Sequence, residues 1–424
     1  MSHAPLRVAV LGAGTVGREV IRGLLEHADR LCAEDGAPLV LTGVACRDVG
    51  RARRSGIPGD LLTDAPAHLV AAPDTDVVVE LMGGDEPART LIAAALGAGK
   101  PVVTANKHVV AHHGPDLEAV ARRAGVAFRF EAAVAGGIPI LGLLAADLAA
   151  NEVTRVRGIV NGTTNFILSA MAREARPYAA VLADAQAIGY AEADPAGDVE
   201  GDDAVNKLVI LSRLAFGRWL EPGSVGRRPP TVRGLGRPGI VGVSAAELEA
   251  AAEVGLTIRL LAVASRTAGE PGVTAAVLPT AVPADGPFGR TEGVTNRIEI
   301  DAEPLGTLAL SGPGAGGAAT SSAVLGDLVA VARGVTSTWA GLRPASGPAE
   351  PAADPLATER AWFAFVPSGD LAPGSTSSLP AVTVTELPAG LAIRTDPGSL
   401  GGTRAMLAGI LRDGADVTLY PIDD

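Results

Sequence analysis

The sequence predicts an α/β chain: a doubly wound parallel sheet first, an α+β domain second, and a small α+β module last. Three observations predict it. Over residues 6–131 short apolar runs alternate with helix-spaced segments, as in strands joined by crossover helices. From about residue 255 strand-like runs follow one another without long helices, and the alternation in Arg297-Ile298-Glu299-Ile300 marks an antiparallel sheet. After a Pro-, Ala- and Ser-rich stretch at 342–358, residues 359–424 read as strand, strand, strand, helix, strand. The expected boundaries are 1–150 for the first domain, completed by 312–335, then 151–311, a linker over 336–358, and 359–424.

The bulk numbers fit this plan. A chain of 424 residues is too long for one ordinary core, and 47% hydrophobic against 19% charged residues is a globular composition. Aromatics are only 3%, so Ala, Val, Leu and Ile fill the cores. A formal charge of -12 argues against nucleic acid or an anionic membrane as partner. Neither a signal-peptide pattern nor a bilayer-length apolar run is visible, so the expectation is a cytoplasmic protein. Two cysteines, Cys32 and Cys46, give no disulfide framework.

In chain order, LRVAVLG (6–12) reads as a strand covered on both faces, and GAGTVG follows at once. A helix with Val20, Ile21, Leu24 and Leu25 on one side comes next. Strand, glycine turn and helix together are the context a dinucleotide fingerprint requires. Gly12 permits the tight turn, Gly14 lets the backbone approach a pyrophosphate, and Gly17 lets the helix lie close to the strand. Ala13, Thr15 and Val16 complete the phosphate-facing turn at a helix N-terminus.

The second strand, VLTGVAC (40–46), ends at Arg47 instead of the acidic residue that holds a ribose 2′-hydroxyl. Arg51, Arg53 and Arg54 lie nearby, and guanidinium groups suit a 2′-phosphate, which favours NADP. Asp48 keeps NAD as the alternative. Two further pairs follow: DVVVELMGG (76–84) with helix PARTLIAAALGAG, and KPVVTANK (100–107) with a helix from about Pro115 to Ala124. Strand VAFRFE (126–131) comes next. Ligands in doubly wound sheets lie beyond the carboxyl ends of the strands. Met82, Gly83, Thr104, Asn106, Lys107 and Glu131 all fall there, so Lys107 is a candidate for reaching cofactor or substrate.

EAAVAGGIPI (131–140) is a small, glycine-rich turn before the helical ILGLLAADLAA; its carbonyls suit a hard cation, and a plain tight turn is the competing reading. VTRVRGIVNGTTNFIL (153–168) gives a strand, a polar turn and a helix start, with Thr163 or Thr164 as cap. The segment from Ile188 to Leu211, IGYAEADPAGDVEGDDAVNKLVIL, is strongly acidic and then apolar at helical spacing. A helix from about Asp202 places Asp203 and Lys207 on one face. Such a pair, if buried, can hold a small zwitterion and move a proton; an exposed pair would be worth only a few tenths of a kcal/mol. GPGAGGAATSSAVLGDLVAVARG (312–334) opens another helix and returns the chain to the first domain. His108, His112 and His113 match no common zinc spacing.

Taken together, GAGTVG, ELMGG, VTANK, EAAVAGGIPI, NGTTNFIL, GYAEADPAGDVEGDDAVNKL, GPGAGG and VLGDL resemble the homoserine dehydrogenase family, in the same order over about the first 335 residues. The resemblance implies NAD(P)H-dependent, reversible reduction of L-aspartate 4-semialdehyde to L-homoserine, in threonine and methionine biosynthesis, by a homodimer. It implies that Lys207 transfers the proton, that Glu192 and Asp203 hold the substrate's amino end, and that Lys107 reaches cofactor and substrate. It implies a sodium ion at Glu131, Val134, Gly136 and Ile138, mainly through carbonyls, and cofactor-bordering turns at Gly189 and Gly316. In such relatives the last module is often a regulatory ACT domain. Here SGDLAPGSTSSLP stands where its first helix belongs, so threonine inhibition is not carried over.

Two rivals remain. A phosphorylating semialdehyde dehydrogenase needs a thiolate nucleophile, and neither Cys32 nor Cys46 is placed for attack. A non-catalytic NAD(P)-responsive binding protein predicts cofactor binding without turnover.

Overall fold

The computed structural model describes residues 4–31, 36–266, 272–345, 347–374 and 382–423; Cys32 lies outside them. The first sheet has the order β3-β2-β1-β4-β5-β6, all pairs parallel. Its strands are β1 (Leu6–Leu11), β2 (Leu39–Ala45), β3 (Leu62–Thr63), β4 (Val77–Glu80), β5 (Val102–Thr104) and β6 (Phe128–Arg129). Val8, Val10, Val77, Val79 and Val103 are fully buried, as expected of strands covered on both faces. The crossover helices include α1 (Thr15–Glu26), α2 (Val49–Arg54), α3 (Ala88–Gly97) and α4 (Lys107–Ala124).

Helix α4 corrects one expectation. It begins at Lys107, eight residues before Pro115, because the Asn106 side chain caps it by accepting the Val109 N–H at 3.2 Å. Pro115 sits inside the helix. The sixth strand is also shorter than VAFRFE: Glu131 already belongs to a 3-10 turn, Glu131–Ala133. ILGLLAADLAA is not a regular helix. A short turn at Ile140–Gly142 runs into a π-helical turn, Leu143–Asp147, closed by Leu148 N–H to the Leu143 carbonyl.

The second domain is built on an antiparallel sheet of order β11-β10-β7-β8-β9. These are β7 (Glu152–Ile159), β8 (Leu256–Ser265), β9 (Thr274–Pro283), β10 (Thr295–Glu303) and β11 (Gly306–Pro313). One face carries α5 (Gly162–Glu174), α6 (Asp202–Phe216) and α7 (Ala245–Glu253). The cap of α5 is Asn161, not Thr163 or Thr164: its side chain accepts the Thr164 N–H at 2.9 Å. The amide wins because it lies one residue outside the helix, where the first free N–H groups point. Helix α8 (Gly317–Ala332) then returns to lie against α1, as expected.

A buried ion pair joins the two domains. Glu118 of α4 accepts from Arg213 of α6 at 2.7 and 2.9 Å, and from the Trp219 indole N–H at 2.8 Å. Arg213 also donates to the Arg343 carbonyl, and Arg122 to that of Leu342. The stretch expected as a linker is therefore fastened at its start; Trp339 is buried against Phe128 and Phe130.

The last module is a four-stranded sheet of order β13-β14-β12-β15, all pairs antiparallel: β12 (Trp362–Pro367), β13 (Val382–Leu387), β14 (Gly390–Thr395) and β15 (Tyr420–Pro421). Helix α9 (Leu400–Ala408) covers one face. Between β12 and β13 the described residues hold only a 3-10 turn, Ser368–Asp370. Among the described residues, no helix is long and apolar enough to cross a membrane.

Candidate active site

The acidic stretch folds as the sequence predicts: α6 starts at Asp202 after Gly201, whose positive φ of 91° turns the chain into the helix. Asp203 and Lys207 are both buried on its inner face. Lys207 Nζ donates to Asp203 Oδ2 at 2.7 Å and to the Val160 carbonyl at 2.6 Å. The second carboxylate oxygen, Oδ1, lies 2.9 Å from Lys107 Nζ, whose side chain is 42% exposed. Asn161 Nδ2 donates to Asp203 Oδ2 and to Asp198 Oδ1, both at 2.8 Å. Two ammonium groups from two domains thus share one carboxylate.

The electrostatics follow from burial. Burial opposes the charge on Asp203, but Lys207 and Lys107 outweigh it and hold its carboxyl well below the usual range. Burial lowers the Lys207 ammonium below the ordinary lysine value while Asp203 pulls it up. Asp203 raises Lys107. Glu192 is exposed in the loop above. Asp198 is raised by burial and by the charge of Asp203.

Beyond the carboxyl ends of the parallel strands lies a cleft of about 920 Å³. Gly12, Ala13, Gly14, Thr15, Arg47, Met82 and Gly83, all expected at the cofactor, line it. A Cβ at Gly12 would fall on the Leu81 carbonyl, and one at Gly17 on the Gly12 carbonyl. A Cβ at Gly14 would meet no protein atom within 4 Å, so only a ligand would press against it. That is the pattern a pyrophosphate-binding turn requires. Val16, partly buried, packs against the sheet's core behind this turn. Arg18, Arg47 and Arg51 bring positive charge to the cleft and Asp48, Asp64 and Glu86 bring negative charge; one oxygen of Asp48 caps α2, accepting the Arg51 N–H at 2.7 Å.

Thr104 and Asn106 are placed differently from the other predicted cofactor residues. Both are buried, and Thr104 is wholly enclosed behind the cleft wall. Gly189 stands at a positive φ of 79° in the loop that carries Glu192. Gly316 starts α8 at φ 106°, and the next glycine, Gly317, would press a Cβ on Thr15 and Glu19 of α1. The turn before α8 therefore sits over the fingerprint helix.

The glycine-rich turn is compact. Ala135 and Gly136 take positive φ values of 53° and 51°, and a Cβ at Gly136 would meet the Gly314 carbonyl at 2.7 Å. The Glu131 carboxylate accepts the Leu141 and Gly142 N–H groups at 2.8 and 2.7 Å. Burial, helped by nearby Asp327, pushes Glu131 up to about 7. Val134 and Ile138 are buried in the same turn. Among the described residues, no three His, Cys, Asp or Glu side chains are grouped to hold a metal.

Sequence reasoning missed Asn161, which ties Asp203 to Asp198, and Glu80, buried at the end of β4. Asn161 precedes a predicted helix and was legible as a cap. Glu80 opens the ELMGG motif, but its pairing with Thr104 lies on a neighbouring strand that no local pattern reveals.

Comparison with known proteins places these features. A family model described as homoserine dehydrogenase matches residues 139–329, and one described as its NAD-binding domain matches residues 12–131. A homoserine dehydrogenase of Mycobacterium tuberculosis is 47% identical over 332 residues, which is 78% of this chain and 73% of that protein. The crystal structure of a homoserine dehydrogenase from Thiobacillus denitrificans superposes with a TM-score of 0.87 at 33% identity, covering 100% of this chain and 99% of that one. A hyperthermophilic archaeal homoserine dehydrogenase in complex with NADPH superposes with a TM-score of 0.63 at 26% identity, over 77% of this chain and 97% of that one.

Proposed function

Because the chain belongs to the homoserine dehydrogenase family, and is thus an NAD(P)-dependent oxidoreductase, we infer the division of labour among its residues for reduction of L-aspartate 4-semialdehyde to L-homoserine. The observation that carries this reading is the single carboxylate of Asp203 between the ammonium groups of Lys107 and Lys207, one from each domain. A bound nicotinamide supplies the hydride. Lys207 supplies the proton. Its ammonium has three protons, of which Asp203 and the Val160 carbonyl take two, leaving one for the substrate oxygen. As that oxygen gains negative charge, the ammonium stabilises it and then transfers the proton, giving the alcohol and neutral Lys207. Burial, by lowering the ammonium's pKa, eases that transfer.

Asp203 already faces two ammonium groups, so its main part is to keep both lysines in place and charged. Exposed Glu192 and half-buried Asp198 form the acidic rim that suits the substrate's amino group. Lys107, with its side chain partly exposed, serves the polar end of the substrate or the cofactor.

NADP is the preferred cofactor on the grounds that Arg47, Arg51 and Arg18 line the cleft, where guanidinium groups suit a 2′-phosphate, while one oxygen of Asp48 is taken by the cap of α2. The carbonyls of Val134, Gly136 and Ile138, with Glu131, suit a sodium ion; turnover in NaCl against KCl at equal ionic strength tests it. A homodimer, formed through the domain whose outer strand β11 is largely exposed, is tested by sedimentation. The last module reads as ACT-like with its first helix replaced, and no effector is assigned to it.

The test of the whole reading is spectrophotometric. NADPH oxidation on addition of aspartate 4-semialdehyde, and NADP reduction by L-homoserine, are the expected results. Cofactor binding without turnover in either direction would sink it.

A further inference from the structure

Glu80 ends β4 in register with Leu11 of β1 and Thr104 of β5, and it is 0% exposed. The chemistry above makes no use of it. Its Oε1 accepts the Met82 N–H at 2.7 Å and the Gly83 N–H at 3.3 Å, so it holds the loop that lines the cofactor cleft. Its Oε2 accepts the Thr104 hydroxyl at 2.6 Å. Thr104 Oγ1 in turn accepts the Asn106 N–H at 3.0 Å. Asn106 closes the ring, donating from Nδ2 to the Gly84 carbonyl at 2.8 Å while Oδ1 caps α4, whose first residue is Lys107.

We propose that Glu80 is a positioning residue, which through Thr104 and Asn106 fixes the cofactor-lining loop and the Lys107 end of α4 as one unit. The proposal rests on reading the cleft as the nicotinamide-cofactor site. Burial raises the pKa of Glu80, and the hydrogen bonds donated to its oxygens oppose that shift; their polarity favours a carboxylate there. Three donors converge on its two oxygens, and the one Thr104 proton points at it. A glutamine cannot replace it. With its NH₂ toward Thr104, the hydroxyl proton loses its acceptor; with its NH₂ toward the loop, donor faces donor. Either way a buried polar group is left unmatched.

The experiment is a fluorescence titration of the ligand-free enzyme with NADPH, alongside steady-state turnover, for Glu80→Gln, Thr104→Val and Thr104→Ser. Glu80→Gln and Thr104→Val should each weaken NADPH binding by about fivefold or more and lower kcat by about tenfold or more. Thr104→Ser keeps the hydroxyl and should recover NADPH affinity to within about threefold of wild type. Should Glu80→Gln fail to fold, the two Thr104 variants decide. NADPH affinity unchanged in Thr104→Val, or a loss that Thr104→Ser does not recover, overturns the proposal. Arg47→Ala, at the cleft lining, is titrated in the same series: NADPH affinity unchanged there fails the cofactor-site reading, whereas a loss there with Thr104→Val unchanged fails this proposal alone.

Discussion

Lys107 and Asp203 meet at 2.9 Å across the boundary between the two domains, and Lys207 takes the other oxygen of the same carboxylate. Lys207, the proposed proton donor, its counter-ion Asp203 and Lys107 therefore form one electrostatic unit, and changes to each should have different signatures.

Lys207→Ala removes the proposed proton donor while leaving the cleft lining untouched. We expect kcat to fall by about two to four orders of magnitude, with NADPH affinity within about threefold of wild type. Stopped-flow turnover and fluorescence titration measure the two quantities separately. Turnover within about tenfold of wild type would show that the proton comes from elsewhere.

The pH dependence of homoserine oxidation reports the same lysine. In that direction Lys207 must start neutral to accept a proton, so kcat should rise with pH. Burial lowers its pKa, so the midpoint should lie below the ordinary 10.5. Asp203 raises that pKa, so Asp203→Asn should move the midpoint further down as well as reduce turnover. A midpoint that stays put or moves up in the variant contradicts this assignment.

Arg47→Ala tests cofactor choice. Loss of a guanidinium facing the 2′-phosphate should weaken NADPH by about tenfold and leave NADH within about threefold. Equal effects on both cofactors would mean that Arg47 faces the shared pyrophosphate instead.

Glu131 makes a stability prediction with the opposite sign to an ordinary carboxylate. Its folded value of about 7 lies above its unfolded value of 4.5, so in that interval the folded chain binds the extra proton. Stability should fall as pH rises from about 5 to about 7 and then level off, by an order of magnitude of at most about 3 kcal/mol. Urea unfolding across that range in sodium-free buffer measures the slope, and Glu131→Gln should flatten it. An unchanged slope in the variant assigns the effect to other groups.

Much of this was legible in the sequence because it is local. Gly12, Gly14 and Gly17 occupy the turn that their spacing demands, and Asp203 and Lys207 share a helix face as their separation of four dictates. What escaped depends on contacts distant along the chain. No local pattern reveals that Glu80 meets Thr104, or that Asn161 reaches Asp198 and Asp203. The start of α4 was misplaced because Pro115 reads as a helix beginning, whereas the decisive signal was Asn106 capping from eight positions before Gly114.

The Glu118–Arg213 pair has a mechanical consequence. It pins α4 and α6 together at a point about 16 Å along α4 from Lys107, taking 1.5 Å of rise per residue. With that point as a pivot, any relative tilt of the two helices would be greatest at their tips, Lys107 and Asp203. A tilt of roughly 10° would part the tips by about 3 Å, enough to break their contact and admit a small molecule while the pivot barely moves.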